Sequence, residues 1–478
     1  MKKKIFIAAA VIFSSTLHAQ TVKTDSSKIL SEVIVSANKF LQKQRETGKV
    51  ITLITREQLE KSGGKDLSQV LTEQAGLFVN GANSNPGKDK SVYLRGGKTD
   101  HTLIAIDGVP VYDASGIGSN FDIRLIPIDN IEQIEILKGS QSTLYGSDAI
   151  GGVINIIMRK GTKKPINVDG LLSYGTYNTG HRNVVLSGAT NKFDYNVSNS
   201  TLKTDGINET TNSRTLPFVD KDGYIQNSVS ASVGYKPNKM IYIKPTFRYT
   251  KFKGNIDQGA DLDERDYTYT STNLQAGIRN QFQFGKTQLN VIYNYNKNER
   301  TYIDDSRLSQ NGYYKYSKGT YTGTEHLVDA FVIQPLGSNA KLTAGADYRQ
   351  SNTDQNFNGI GLYGPDKSIL SKDSLKQNQL RVYAAIAMNA KNGLSAELGG
   401  RFNHHSEYGN NVVFNFNPSF LIKQQYKLFV NISSAYKTPS LYQLFSDYGN
   451  KNLNPETATT FEGGAQYFTK NNKINARA

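Results

Sequence analysis

The sequence predicts an exported chain in which a small α/β domain precedes a large transmembrane antiparallel β-barrel. Residues 50–160 mix strand and helix patterns, whereas residues 161–478 repeat strands of about ten residues with alternating apolar and polar positions. No segment offers about 18 uninterrupted apolar residues, and the mean hydropathy of the chain is negative. These observations exclude a helical membrane protein and favour a membrane protein built from strands.

The first 19 residues have the pattern of a secretory signal. Residues 2–4 are lysines, residues 5–13 are apolar, and small or polar residues lead to Ala19, so the mature chain is expected to begin near Gln20. The apolar part is too short to span a bilayer. The chain contains no cysteine, which excludes a lipoprotein and disulfides. We therefore expect export through the Sec pathway.

Charge and motif content argue against nucleic-acid binding and against catalysis. The net charge of +15 is scattered along the chain and is not gathered on one helix or stripe. The sequence lacks a GxSxG turn, a phosphate-binding loop and an HExxH helix. His404 and His405 are adjacent, so their side chains point to opposite faces of a strand. We expect a protein that is not an enzyme and has no nucleic-acid partner.

The α/β domain begins with a strand over residues 50–54. Thr55 and Gln58 then form a capping-box pattern, and Leu67, Val70 and Leu71 place apolar groups on one helical face. Further strands, each bounded by turn residues, are predicted over residues 92–95, 103–106, 131–137 and 153–158.

The barrel region is rich in tyrosine and in asparagine, aspartate and glycine turns. Residues 241–249, 273–284 and 288–295 are typical of its strands. Its length suits roughly 12 to 14 strands. Alternation alone leaves a soluble β-sandwich or a solenoid open.

Three stretches of the α/β domain resemble the TonB-dependent outer-membrane receptors: residues 92–97 (VYLRGG), 103–110 (LIAIDGVP) and 131–158 (IEQIEILKGSQSTLYGSDAIGGVINIIM). The resemblance implies an α/β plug domain inside a transmembrane antiparallel β-barrel, which has 22 strands in the family. It divides the chain into a signal peptide (1–19), an N-terminal segment (20–45), a plug (46–160) and an incomplete barrel (161–478).

Residues 31–37 (SEVIVSA) are similar to the TonB box of the family, a short β-prone segment that adds as a strand to periplasmic TonB. The resemblance implies that TonB and its inner-membrane motor are partners. The residues of the predicted box are Ser31, Glu32, Val33, Ile34, Val35, Ser36 and Ala37.

A second set of residues is predicted to build the plug. Its glycines permit tight turns or close backbone approach, and Arg95 and Glu135 are candidates for buried ion pairs between plug and barrel. The set consists of Arg95, Gly96, Asp107, Gly108, Glu135, Gly139, Tyr145, Gly146, Gly151 and Gly152.

Two groups of loop residues are predicted to face outward. In the family the outer loops of the plug touch the ligand, which assigns that role here to Asn83, Ser84, Asn85, Ser115, Ser119 and Asn120. One barrel loop clusters carboxylates of the kind that hold calcium, namely Asp257, Asp261, Asp263 and Asp266. The cobalamin receptors of the family can order their outer loops with calcium; a solvated acidic loop is the alternative.

Within the family, the plug sequence is most similar to that of the cobalamin receptors. We therefore expect a monomer in outer-membrane lipid that imports a scarce small-molecule nutrient, with cobalamin first and a ferric siderophore as the alternative. A passive porin or a surface adhesin is the alternative of a different class. Residues 435–456 match a family segment that lies well inside the barrel, so we also expect this chain to be a fragment of a longer product.

Overall fold

The computed structural model describes residues 34–36, 38–210, 220–257, 259, 263–264, 266–305, 314–371, 373, 375–468 and 473–477. The predicted signal, Ser31, Glu32, Val33 and Ala37 of the predicted TonB box, and Asp261 of the predicted calcium loop lie outside these residues.

The N-terminal part is an α/β domain. Its elements are β1 (Ile34–Val35), β2 (Gln42–Lys43), β3 (Val50–Thr55), α1 (Arg56–Lys61), α2 (Leu67–Thr72), β4 (Leu77–Asn80), β5 (Ser91–Leu94), β6 (Thr102–Ile106), β7 (Val109–Val111), β8 (Ile131–Lys138), α3 (Ser142–Tyr145) and β9 (Gly152–Met158). A five-stranded sheet has the order β3-β8-β9-β6-β7, in which only β6 and β9 run parallel. The strands predicted for this domain are all present.

Local chemistry explains both predicted helices. The Thr55 side chain accepts a hydrogen bond from the backbone N–H of Gln58, and the Gln58 side chain accepts one from Thr55, which completes the predicted capping box of α1. In α2, Leu67, Val70 and Leu71 are all buried, as the helical spacing predicted. These side chains join the sheet residues in one core.

In the described part of residues 161–478, the strands form a single antiparallel sheet of 17 strands in sequence order. The strands are β10 (Asn167–Gly175), β11 (Thr179–Ala189), β12 (Phe193–Thr204), β13 (Tyr224–Tyr235), β14 (Ile241–Asn255), β15 (Thr268–Phe284), β16 (Thr287–Asp304), β17 (Tyr314–Leu336), β18 (Ala340–Gly361), β19 (Gly364–Leu370), β20 (Lys376–Asn389), β21 (Leu394–His405), β22 (Gly409–Phe416), β23 (Ser419–Ile422), β24 (Tyr426–Lys437), β25 (Glu456–Phe468) and β26 (Lys473–Arg477). A short helix, α4 (Leu441–Phe445), follows β24.

The sheet places polar side chains inside and apolar side chains outside. Along β20, Arg381 and Tyr383 are each 2% exposed, whereas Leu380 and Val382 are 49% and 53% exposed. A soluble β-sandwich buries its apolar face, so this inverted pattern is that of a barrel whose outer surface meets lipid. Plug residues form hydrogen bonds with β11, near one edge of the barrel sheet, and with β25, near the other. The plug therefore lies within the barrel.

Two expectations for the barrel were wrong in detail. Its strands reach 23 residues in β17, longer than the ten predicted, because the alternation continues beyond the length that a bilayer requires. Even when the interrupted pairs β19 with β20 and β22 with β23 each count once, the described sheet has more strands than the 12 to 14 expected. Short turns, such as the two residues between β15 and β16, leave more of the chain for strands. No helix in the described part of the chain is long and apolar enough to cross a membrane.

Candidate functional site

The described part of the predicted TonB box lies folded against the plug. Ile34 and Val35 pair antiparallel with Lys43 and Gln42, so the predicted β-prone segment does form a strand. The Val35 side chain is completely buried in a core that includes residues of the plug and barrel. In this structure the segment is therefore held in place and is not free to add to another sheet.

Ser36 is fixed by the carboxylate of Glu135 on β8. Its backbone N–H donates to Glu135 Oε1 at 3.0 Å, and its hydroxyl donates to Oε2 at 2.9 Å. Gln133 and Asn155 donate to the same carboxylate. Burial raises the pKa of Glu135, while the hydrogen bonds from Ser36, Asn155 and Gln133 oppose that rise.

The expectation that Glu135 pairs with a barrel cation was wrong. The carboxylate is satisfied by four hydrogen bonds from uncharged donors, two of which come from Ser36. Sequence reasoning could not find this partner, because Ser36 lies 99 residues away and short polar segments carry no sign of what they contact.

Lys39 is a second anchor of the same segment, and no sequence pattern predicted its role. Its ammonium group donates to Asp329 at 2.6 Å and to the Tyr383 hydroxyl at 2.7 Å. It also lies over the ring of Phe331, 4.7 Å from the centroid. Asp329 is on β17 and Tyr383 on β20, so Lys39 ties the N-terminal segment directly to the barrel wall.

Arg95 forms the kind of plug-to-barrel ion pair that was expected of it. Its guanidinium contacts both carboxylate oxygens of Glu462 on β25, at 2.5 and 3.2 Å. Nearby, Lys437 pairs with Asp148 of the plug at 2.9 Å. Because these groups are largely buried, removing one partner would leave a charge without compensation.

Several of the predicted plug residues occupy conformations that demand glycine. At Gly152 φ is +148°, and an added Cβ would lie 2.2 Å from the Leu137 carbonyl oxygen, so both the backbone and the space exclude a side chain. Gly96, Gly108, Gly139 and Gly146 also have positive φ, while an added Cβ at Gly151 would lie 3.1 Å from the Leu94 carbonyl oxygen. Asp107 has φ +52°, and Tyr145 is buried in the same core as Val35.

The predicted ligand residues fall into two groups. Asn83 and Asn120 are exposed, and Ser84 is partly exposed. Asn85, Ser115 and Ser119 are buried among protein groups. The Asn85 amide, for example, donates to the Ile207 carbonyl oxygen and to Asp222, so it fastens the plug to a barrel loop. The ligand role of all six stays a prediction.

The predicted acidic loop lies close to a carboxylate of another loop, that of Asp220. Oxygen atoms of Asp220, Asp257 and Asp263 all lie within 4.8 Å of one another. Asp220 precedes β13, so the sequence distance hid it from the prediction. Asp266 lies near enough to Glu264 to raise the pKa of that residue.

Glu264 lies next to this cluster, and its backbone N–H donates to the Asp257 carboxylate at 3.2 Å. Its residue is 1% exposed, and neither of its carboxylate oxygens accepts a hydrogen bond from the described residues. Burial, followed by the charges of Asp304, Asp266 and Asp257, raises its pKa to about 7. Burial and the charge of Asp257 raise the pKa of Asp222 to about 7 as well. Buried carboxylate oxygens without donors are the ligands that calcium takes.

Comparison with known proteins assigns both domains of the chain to one family. The profile of the TonB-dependent receptor plug domain matches residues 43–153, and that of the TonB-dependent receptor-like β-barrel matches residues 173–478. The vitamin B12 transporter BtuB of Vibrio vulnificus (strain YJ016) is 25% identical, over 98% of this chain and 72% of that protein.

Two solved structures share the fold. The siderophore receptor PirA of Acinetobacter baumannii has a TM-score of 0.68 at 18% identity, covering 88% of this chain and 68% of its own. A mutant of the ferric enterobactin receptor PfeA of Pseudomonas aeruginosa has a TM-score of 0.69 at 19% identity, covering 92% and 71%.

Proposed function

Because this chain belongs to the TonB-dependent receptor family, whose members are outer-membrane β-barrel transporters and not enzymes, we propose that it imports cobalamin across the outer membrane. The observation that carries the choice of ligand is the vitamin B12 transporter that is 25% identical over nearly the whole chain. The siderophore receptors resemble this chain at 18 and 19% identity, which is evidence of fold alone. A ferric siderophore is the alternative outcome of the test below.

The coupling step is release of the predicted TonB box, residues 31–37, of which the structure describes residues 34–36. TonB would take this segment by strand addition, since backbone hydrogen bonds supply most of the affinity in that mode of recognition. In the structure the same backbone is paired with β2, and Ser36 and Lys39 are anchored to Glu135 and Asp329. Ligand binding at the outer end must therefore weaken these contacts before the motor can pull.

A plugged barrel argues against passive transport. A porin needs an open lumen, whereas here the plug occupies part of the barrel interior and ion pairs such as Arg95 with Glu462 fix it to the wall. An adhesin would have no use for a buried segment of the TonB-box type. The plugged barrel and the buried segment both support transport that requires energy.

Calcium at the acidic cluster would order the outer loops. Asp220, Asp257 and Asp263 are the residues that would hold it, because an oxygen of each lies within 4.8 Å of the others. Glu264, whose carboxylate accepts no hydrogen bond from the described residues, would add a further negative charge beside them. The ion would supply charge that offsets repulsion among the carboxylates. The protein's own contribution is to hold two loops, before β13 and before β15, within ligand distance of each other.

Growth of the host tests the ligand and the coupling segment together. The gene that encodes this chain is deleted, and the strain is grown on limiting cobalamin and separately on limiting iron. Complementation uses the unaltered gene, Val33→Pro, and Val33→Ala as the matched control. Proline removes a backbone N–H that strand addition needs, whereas alanine keeps it.

We expect a defect on cobalamin only, rescued by the unaltered gene and by Val33→Ala but not by Val33→Pro. A defect on iron alone would move the assignment to siderophore import. Rescue by Val33→Pro would remove the case for coupling through this segment.

A further inference from the structure

A large cavity separates one side of the plug from the barrel wall. Its volume is about 1270 Å³, and it lies between the β6–β7 hairpin of the plug and barrel strands that include β14, β15 and β16. Lys236 and Lys286, which occupy short turns between strands, line it at one end. Residues 36 and 39–41 line it as well, so the N-terminal segment forms part of its wall.

The lining is strongly basic. Ten lysine and arginine side chains face four carboxylates. Of the ten, only Lys39, Arg159 and Arg248 pair with a carboxylate among the described residues. Low-dielectric walls focus the field of such a cluster, which raises the local concentration of anions.

Two cations face each other on neighbouring strands of the cavity wall. Lys244 on β14 and Arg279 on β15 are direct cross-strand partners, and like charges in that position destabilise a sheet. Among the described residues, the one hydrogen-bond acceptor of Arg279 is a neutral group, the Asp107 carbonyl oxygen, at 2.6 Å. The fold therefore tolerates an unfavourable pair at this point of the cavity wall.

The carboxylate of Asp107 is an anionic group beside these cations. Its carboxylate accepts from Arg248 at 3.0 Å, and the residue sits at the tip of the β6–β7 hairpin with φ +52°. The hairpin tip thus closes one side of the cavity by presenting a carboxylate to cations that line the barrel.

We propose that this cavity is the exit vestibule for the ligand, and that Lys244, Arg248 and Arg279 bind the anionic oxygens of the ligand as Asp107 moves away. The inference rests on the proposed import function and deepens it, because it assigns the ligand an anionic group. The phosphodiester of cobalamin and the chelating oxygens of a ferric siderophore share this chemistry. Withdrawal of the N-terminal segment removes part of the cavity wall and opens the vestibule toward the side from which TonB pulls.

The first test measures the charge of the cavity without any ligand. The chain has no cysteine, so Thr246→Cys introduces a single thiol between Lys244 and Arg248 on the cavity face of β14, and Ser338→Cys serves as an exposed control. In isolated outer membranes, the rates of modification by an anionic and a cationic methanethiosulfonate reagent are compared.

We expect the ratio of anionic to cationic rates to be about tenfold higher at Thr246→Cys than at Ser338→Cys. Adding Lys244→Gln and Arg279→Gln lowers that ratio, whereas Lys244→Arg leaves it unchanged. Equal ratios at the two positions would overturn the proposal.

The second test measures transport. Cells carrying Lys244→Gln with Arg279→Gln are compared with the unaltered chain, with Lys244→Arg, and with Lys203→Gln, which removes a charge outside the cavity. Labelled cobalamin and a labelled ferric siderophore form separate arms. We expect unchanged ligand binding by de-energised cells, and uptake by energised cells that is about tenfold slower in the double variant only.

Normal uptake by the double variant would overturn the vestibule while leaving the import function intact. Failure of the unaltered chain to take up either ligand would instead refute the import function, and the proposal with it.

Discussion

At the scale of single residues, the Glu135 carboxylate is one of the groups that hold the N-terminal segment. It accepts from both the backbone N–H and the hydroxyl of Ser36. Truncation to alanine leaves buried donors without partners, at a cost of about 1 to 3 kcal/mol each. The cost falls on the closed position of the segment, so the open position gains population.

We predict that Glu135→Ala accelerates hydrogen exchange at the Val35 and Ser36 amides by about tenfold or more, the change produced by roughly 1.4 kcal/mol. Glu135→Gln keeps one acceptor oxygen and should show a smaller effect. Glu132→Ala, at an exposed carboxylate on the same strand, is the matched control. Unchanged exchange in Glu135→Ala would mean that strand pairing with β2 alone holds the segment.

Gly152 is a second residue at which a single substitution is expected to lower the free energy of unfolding. A side chain there meets the Leu137 carbonyl oxygen at 2.2 Å and must adopt φ near +148°. We predict that Gly152→Ala lowers the free energy of unfolding by about 2 to 5 kcal/mol, from overpacking and backbone strain together. Chemical denaturation measures this change. Gly63→Ala, where nothing lies within 4 Å, should be close to neutral, and equal losses at both sites would contradict the explanation.

At the scale of elements, the loops before β13 and β15 are predicted to respond to pH and to calcium in opposite directions. The pKa values of Asp222 and Glu264 are raised to about 7, above those of the unfolded chain. A raised carboxyl pKa contributes stability that is present below the unfolded value and is lost as pH rises through about 7. Without a cation, the loops should therefore loosen between about pH 4 and 7.

Calcium binding should reverse that loss, since it requires the ionised form. We predict that calcium affinity, measured by titration calorimetry, increases as pH rises from about 6 to 8, in the range where these two carboxyls ionise. Glu264→Gln should weaken binding, and the exposed loop variant Glu407→Gln should not. Affinity that is constant over this pH range would place the ion elsewhere or nowhere.

The elements were largely predictable because their signals are local. The capping box of α1 lies within four residues, and the apolar face of α2 within five, so the sequence carries both in full. Strand alternation likewise reports which face meets lipid. Lys39 and Asp329 are 290 residues apart, and Asp220 and Asp257 belong to different loops. Nothing local predicts such partners, and for this reason the anchors of the coupling segment were missed.

At the scale of the whole molecule, the loops at one end of the barrel sheet and the turns at the other carry different groups. At the outer end, loops carry exposed polar groups such as Asn83 and Asn120 and a cluster of carboxylates. At the other end, a basic cavity borders residues 36 and 39–41 of the N-terminal segment. Ion pairs such as Arg95 with Glu462 connect plug to wall between them. A ligand that binds outside must therefore change contacts within the barrel before it can leave.

The most direct test of cobalamin import is uptake of labelled cobalamin by energised cells that carry or lack the gene for this chain. The account predicts that deletion abolishes accumulation, that the unaltered gene restores it, and that Val33→Pro restores binding to the cell surface but not accumulation. Accumulation that persists in the deletion strain, or that is displaced completely by a ferric siderophore, would contradict it.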